Sequence, residues 1–232
     1  MLAQGSFALC ARCWHSLRMS PRVKIEFVSD VVCPWCALGF ATLQEALRQM
    51  DDVQVGVRVE PFELNPDAPA TGPEIFAHLY RLTGMSREQF EHSQAVLHQR
   101  GKEVGFDFGA GARHVHNTFA AHRLLHAAVQ SGAQLQLQHQ LFKAYFTDGL
   151  NVADRDVLLG AAINAGLSEA IVKAVLDSDQ YAGEVREREH VWRQRGINGV
   201  PAFIFNERHL LQGAQPVEVL VNAIRQLAAQ SA

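Results

Sequence analysis

The 232-residue chain has no apolar run approaching the roughly 20 residues needed to span a bilayer. Nor has it a basic excess: 21 lysines and arginines stand against 24 acidic residues, for a net charge of -3. An integral membrane protein is excluded, and nucleic acid or an anionic membrane is not the expected partner. The first twenty residues, MLAQGSFALCARCWHSLRMS, contain only the short apolar run Phe7 to Ala11, with basic residues after it rather than before it. A secretory signal is therefore not expected. Residues 1–20 are expected to be a disordered leader, with Met19 as an alternative start. Cysteine is scarce, at four, and none follows Cys36.

With 48% hydrophobic residues, a chain of this length can bury a full core. Val23 to Val28 has the β-branched and aromatic character of a buried strand, Pro34 to Met50 that of a helix, and Val53 to Phe62 alternates as a second strand. After the turn-rich Asn65 to Gly72, the pattern is helical for more than a hundred residues. Helices are expected over Pro73 to Leu82, Ser86 to Val104, His114 to Gln130, Gln134 to Thr147, Asp154 to Ala165, Ser168 to Leu176 and Ser178 to Arg195. Strand character returns at Ala202 to Phe205 and His209 to Leu211, and Pro216 opens a closing amphipathic helix. The order βαβ, helices, ββα predicts an α/β, thioredoxin-like fold with a large all-helical insertion. Residues 21–64 and 196–232 would form the thioredoxin-like domain, and 65–195 the inserted helical domain.

The cysteines form two pairs, Cys10-x-x-Cys13 and Cys33-x-x-Cys36. Four thiolates in that pattern could hold zinc. The second pair, however, lies between a predicted strand and a predicted helix, with Pro34 at the first helical turn, where its missing N–H is no loss. A reactive dithiol is the better reading, no metal is expected, and Cys10 and Cys13 are taken as incidental. Only a thiolate attacks, and unpaired N–H groups at a helix start stabilise it. Cys33 holds that place, and Cys36, one turn on, would resolve the mixed disulfide. Such a site also needs a proline loop beside the sulfurs. Gly199-Val200-Pro201, immediately before AFIF, is in position, so Val200-Pro201 is expected to be cis and to face Cys33.

His122 and His126 are spaced to share a helix face, but no glutamate or third ligand accompanies them, so a zinc-protease site is not expected. Phe142, Tyr145 and Phe146 at helical spacing read as core.

DVVCPWCALG at Asp30 to Gly39, ELNPDAP at Glu63 to Pro69, NTFAAHRL at Asn117 to Leu124, LFKAYF at Leu141 to Phe146, GINGVPAFIF at Gly196 to Phe205 and GAQP at Gly213 to Pro216 occur in this order. Together they resemble the DsbA-like thioredoxin-fold oxidoreductases, in particular the cytoplasmic FrnE-type branch. Kappa-class glutathione transferases and 2-hydroxychromene-2-carboxylate isomerases belong to the same superfamily and usually carry serine where this chain has Cys33. The resemblance implies a cytoplasmic thiol-disulfide oxidoreductase using a Cys-Pro-Trp-Cys dithiol, acting on protein or small thiol substrates. Catalysis would fall to Cys33 and Cys36, and substrate binding to Pro34, Trp35, Val200, Pro201, Asn117 and His122. No cofactor is required; glutathione as co-substrate, and a homodimer, are left open. The alternative is a glutathione-dependent isomerase or transferase of the kappa type. Some FrnE-type proteins are expected to carry a further cysteine pair near the C-terminus, and a mechanism relying on one is excluded here.

Overall fold

A computed structural model describes residues 22–111 and 113–230. The expected leader, residues 1–20 with Cys10 and Cys13, lies outside the described residues.

Strand β1 (Arg22–Ser29) runs to the start of helix α1 (Pro34–Arg48), and β2 (Gln54–Pro61) returns parallel to β1, with Phe27 opposite Val59. Strand β3 (Ala202–Phe205) pairs antiparallel on the other side of β1, placing Phe203 opposite Phe27, and β4 (His209–Gln212) forms a hairpin with β3. The sheet order is β2-β1-β3-β4. β3 is apolar on both faces, while β1 puts Val23, Ile25 and Phe27 on one face and Lys24, Glu26 and Val28 on the other, so each face of the sheet has apolar surface to cover. One face carries α1 and the closing helix α9 (Val217–Gln230); against the other, Trp192 and Ile197 join Val28, Phe62, Ala202 and Ile204 in a second apolar cluster.

Between β2 and β3 the chain forms α2 (Ile75–Thr83), α3 (Arg87–Glu103), α4 (Phe119–Ser131), α5 (Gln134–Phe142), α6 (Arg155–Asn164), α7 (Glu169–Leu176) and α8 (Ala182–Gln194). Ser86 and Gln89 close the capping box that their spacing predicts: the Ser86 hydroxyl accepts from the Gln89 N–H and the Gln89 side chain accepts from that of Ser86. Phe27 contacts Phe40 of α1 at 5.8 Å between ring centroids, and Phe40 contacts Phe142 of α5, also at 5.8 Å. Sheet, α1 and helical segment therefore share one core. Gln134 reinforces the junction by exchanging two 2.9 Å hydrogen bonds with the Val59 backbone, as a neighbouring strand would. Among the described residues, no helix is long and apolar enough to cross a membrane.

Three predicted helices differ from expectation. The one from His114 begins only at Phe119, because Gly72 donates to the Val115 carbonyl and Val115 to that of Pro73, holding His114 and Val115 in a bridge beside 72–74. The one from Ser178 begins at Ala182; Tyr181 before it has a φ of 65°. The run through Thr147 changes at Lys143 from α- to π-helical winding.

Candidate active site

Cys33 is the N-cap of α1, with φ -88° and ψ 116°, and its carbonyl accepts from the N–H groups of Cys36 and Ala37. Pro34 occupies the first helical position. The segment between β1 and α1 is short and pinned, since the Cys33 N–H donates to the Asp30 carbonyl at 3.1 Å. The Cys33 sulfur is thus carried at the end of the sheet, and the Val200 carbonyl lies 3.7 Å from it. The Val200-Pro201 peptide bond is cis. Gly39, three residues after Cys36 on α1, lets this loop approach: a Cβ there would stand 3.3 Å from both the Pro201 and Phe203 side chains.

Both cysteines are free thiols, Cys33 with 3% of its surface exposed and Cys36 with none. Burial pushes the Cys36 thiol well above its usual pKa, and hydrogen bonding to Cys33 with the neighbouring charge of that sulfur adds to the rise. The two sulfurs therefore differ in environment: Cys33 borders a cleft, and Cys36 lies in the core, where burial disfavours its thiolate.

Behind them lies a buried polar layer. Asp30, fully buried, accepts from the N–H of Leu64 at 2.8 Å and from that of Val32 at 3.4 Å, tying the ends of β1 and β2 together. His122 Nε2 stands 3.7 Å from Asp30 Oδ1. Glu63, also buried, pairs with Arg186, which bridges to Glu189 at 2.9 Å. Burial and the adjacent Glu189 raise the Glu63 pKa above the usual carboxylate range, opposed by His122 and Arg186.

In front of Cys33 opens a cleft of about 410 Å³ between the Val32 to Trp35 segment and helices α2 and α3. Trp35, Leu64, Leu79, Leu82, Phe90 and Val115 give it an apolar wall, while Arg113, His78 and Tyr145 supply polar groups.

The structure brings Cys33, Pro34, Trp35 and Val200 together around this cleft. Pro201 stands behind them, its carbonyl accepting from the Gly213 N–H. Asn117 does not line the cleft; its amide donates to the Ala68 carbonyl at 3.2 Å and its Oδ1 accepts from the Phe119 N–H, so it shapes the turn into α4. His122 likewise faces Asp30 rather than the cleft, and His126 leaves it to contact the Tyr181 ring at 5.0 Å. No group of three or more metal-binding side chains occurs among the described residues. Phe142 is core, but Tyr145 and Phe146 are both buried and cleft-lining. Asp30, His78 and Arg113 are additions from the structure; only Asp30, an acid at the end of an apolar strand, carried a local signal.

An uncharacterised Bacillus subtilis protein, YwbO, is 27% identical over 206 residues, covering 87% of this chain and 96% of its own. Among solved structures, a probable DsbA oxidoreductase from Streptomyces coelicolor superposes with a TM-score of 0.81 at 33% identity, covering 90% of this chain and 91% of its own. The cytosolic disulfide reductase DsbM from Pseudomonas aeruginosa, solved with GSH, shares the fold, with a TM-score of 0.62 at 17% identity over 88% of this chain and 98% of its own. The family model of the DSBA-like thioredoxin domain matches residues 24–225, from β1 through α1 and the helical segment into α9, and the chain belongs to that family.

Proposed function

We propose that the chain is a thiol-disulfide oxidoreductase that cycles Cys33 and Cys36 between dithiol and disulfide. The observation that carries this reading is the placing of the pair: Cys33 caps α1 beside the Val200 carbonyl and the cleft, with Cys36 buried one turn behind. In the reducing direction the Cys33 thiolate attacks one sulfur of a substrate disulfide. A Cys33–substrate bond forms, the substrate S–S bond breaks, and the released thiolate takes a proton from water. Cys36 then gives up its proton and attacks the Cys33 sulfur, and the second substrate thiol leaves carrying that proton. Two electrons pass to the substrate and the enzyme is left as the disulfide. Two glutathione molecules would restore the dithiol by the reverse exchange, yielding glutathione disulfide.

Glutathione as co-substrate and a cytoplasmic setting belong to the same proposal, supported by the fold shared with a cytosolic reductase solved with GSH. The test is the redox equilibrium of the Cys33–Cys36 pair against glutathione, together with two variants. Cys33→Ser should abolish reductase activity, and Cys36→Ser should accumulate a mixed disulfide visible by mass spectrometry. Turnover by Cys36→Ser at the wild-type rate would sink the dithiol cycle and favour a glutathione-dependent isomerase or transferase, in which Cys33 alone polarises a bound thiol.

A further inference from the structure

We propose that the cleft beside Cys33 selects a small apolar disulfide bearing one carboxylate on the half that enters it, with Arg113 holding that carboxylate. This names the substrate class of the dithiol site and rests on the thiol-disulfide reading. Among the described residues lining the cleft, Arg113 is the only arginine or lysine and there is no carboxylate to balance it. Its side chain is largely buried, with 8% of the residue exposed, yet its hydrogen-bond partners among the described residues are neutral: the Gln94 amide oxygen and the Gly109 carbonyl, the latter at 3.4 Å. A guanidinium carries five N–H donors, so these two bonds leave donors over.

A buried cation without a counter-charge is costly, and a bidentate carboxylate is the ligand that its planar fork matches. Burial lowers the Arg113 pKa, as expected of a cation lacking such a partner. A second polar group waits on the same wall. His78 is 9% exposed and its Nδ1 is buried without a hydrogen-bond partner.

The rest of the lining sets what the carboxylate is attached to. Trp35, Phe90 and Leu79 offer apolar surface, and a volume of about 410 Å³ suits an aryl or branched alkyl group rather than a folded protein loop. Glutathione, with two carboxylates and an ammonium, suits the cleft less well as the disulfide substrate, and in the cycle above it serves as the reductant, bringing only its thiol to the sulfurs. A phosphate would bring excess negative charge to a single guanidinium. The reaction balances as in the cycle above: the enzyme dithiol gives up two electrons and two protons, and the disulfide is released as two thiols.

Two aromatic disulfides separate charge from reactivity: dithiobis-nitrobenzoate, with one carboxylate per half, and the uncharged dithiodipyridine. Stopped-flow oxidation of the reduced enzyme by each gives a ratio of rate constants. In Arg113→Met that ratio, carboxylate over neutral, should fall about tenfold or more, the size of a lost charge-assisted hydrogen bond. Arg113→Lys should restore part of it. An unchanged ratio would overturn the assignment. If neither reagent oxidises the wild-type dithiol, the cycle itself fails, a distinguishable result. Should Arg113→Met not fold, the wild-type protein answers alone: nitrobenzoate should slow iodoacetamide alkylation of Cys33 and nitrobenzamide should not. Equal protection by both, or by neither, counts against Arg113 as the anion site.

Discussion

The Nε2 of His122 stands 3.7 Å from the Oδ1 of Asp30, with both side chains almost wholly buried. The carboxylate is positioned by Val32 and Leu64, so it links the segment leading into Cys33 with the segment leaving β2. Asp30→Asn keeps the shape but turns one acceptor oxygen into an amide donor, which must then face an N–H or the histidine. A destabilisation of about 1–3 kcal/mol is expected from the group left unpaired. Urea unfolding measures it, and a change within experimental error would show that the layer is not structural.

Gly39 permits the contact on which the site's shape depends. An added Cβ would lie 3.3 Å from the Pro201 ring and from the Phe203 ring, tighter than ordinary packing. Gly39→Val should cost about 1–3 kcal/mol through overpacking, partly offset by the better helix propensity of a residue with a side chain. It should also lower the rate of Cys33 with any disulfide, because the displaced element carries Val200. A valine variant as stable and as reactive as the wild type would show that the loop has room to retreat.

The parts of the fold and site legible in the sequence were those whose signal is local. Val23 to Val28 and AFIF are apolar strands whatever surrounds them, and a cysteine followed by proline after a strand marks a helix start from sequence alone. Long-range pairing hid the rest. Residues His114 to Thr118 carry no helix breaker, yet their backbone is taken by 72–75, some forty positions earlier. Arg113 carries no local signal, because its burial goes with the pairing of 113–115 to the start of α2. Asn117 and His122 were drawn from a shared sequence block, which signals that residues matter together but does not say that both face outward from the cleft.

Arg186 sits between two buried carboxylates, Glu63 and Glu189, with about half of its own side chain exposed. Arg186→Met removes their shared cation. Discounted for solvent screening of the exposed guanidinium, the cost is about 1–2 kcal/mol near neutral pH. Its pH dependence has a definite sign. Glu63 already has a raised pKa in the folded protein, so the fold binds its proton more tightly than the unfolded chain and loses stability as pH climbs past the ordinary 4.5. Without Arg186 the rise is larger, and the gap between variant and wild type should widen from acid to neutral pH. Thermal melts at several pH values would show this; a gap that narrows with pH would place the carboxylates' main support elsewhere.

The reduced protein should lose stability in alkali through Cys36. Its thiol pKa is pushed above the ordinary 9.0 in the folded state, first by burial and then by hydrogen bonding to Cys33. In the window above that ordinary value the unfolded chain ionises this thiol while the fold keeps it protonated. The folded state thus binds more protons, and unfolding free energy must fall as pH rises. Below the window both states are protonated and the term vanishes. Cys36→Ala, lacking the thiol, should show a flatter alkaline decline, and so should the oxidised enzyme, whose disulfide has no proton to lose. The same burial bears on catalysis, since Cys36 becomes a nucleophile only after giving up its proton. Resolution of a mixed disulfide between Cys33 and glutathione should therefore accelerate with pH across this range. Chevron or urea data for the reduced wild type and Cys36→Ala at matched alkaline pH decide the matter. Parallel declines for the two would mean that Cys36 ionises as readily in the fold as in the open chain, and that a different group carries the alkaline sensitivity.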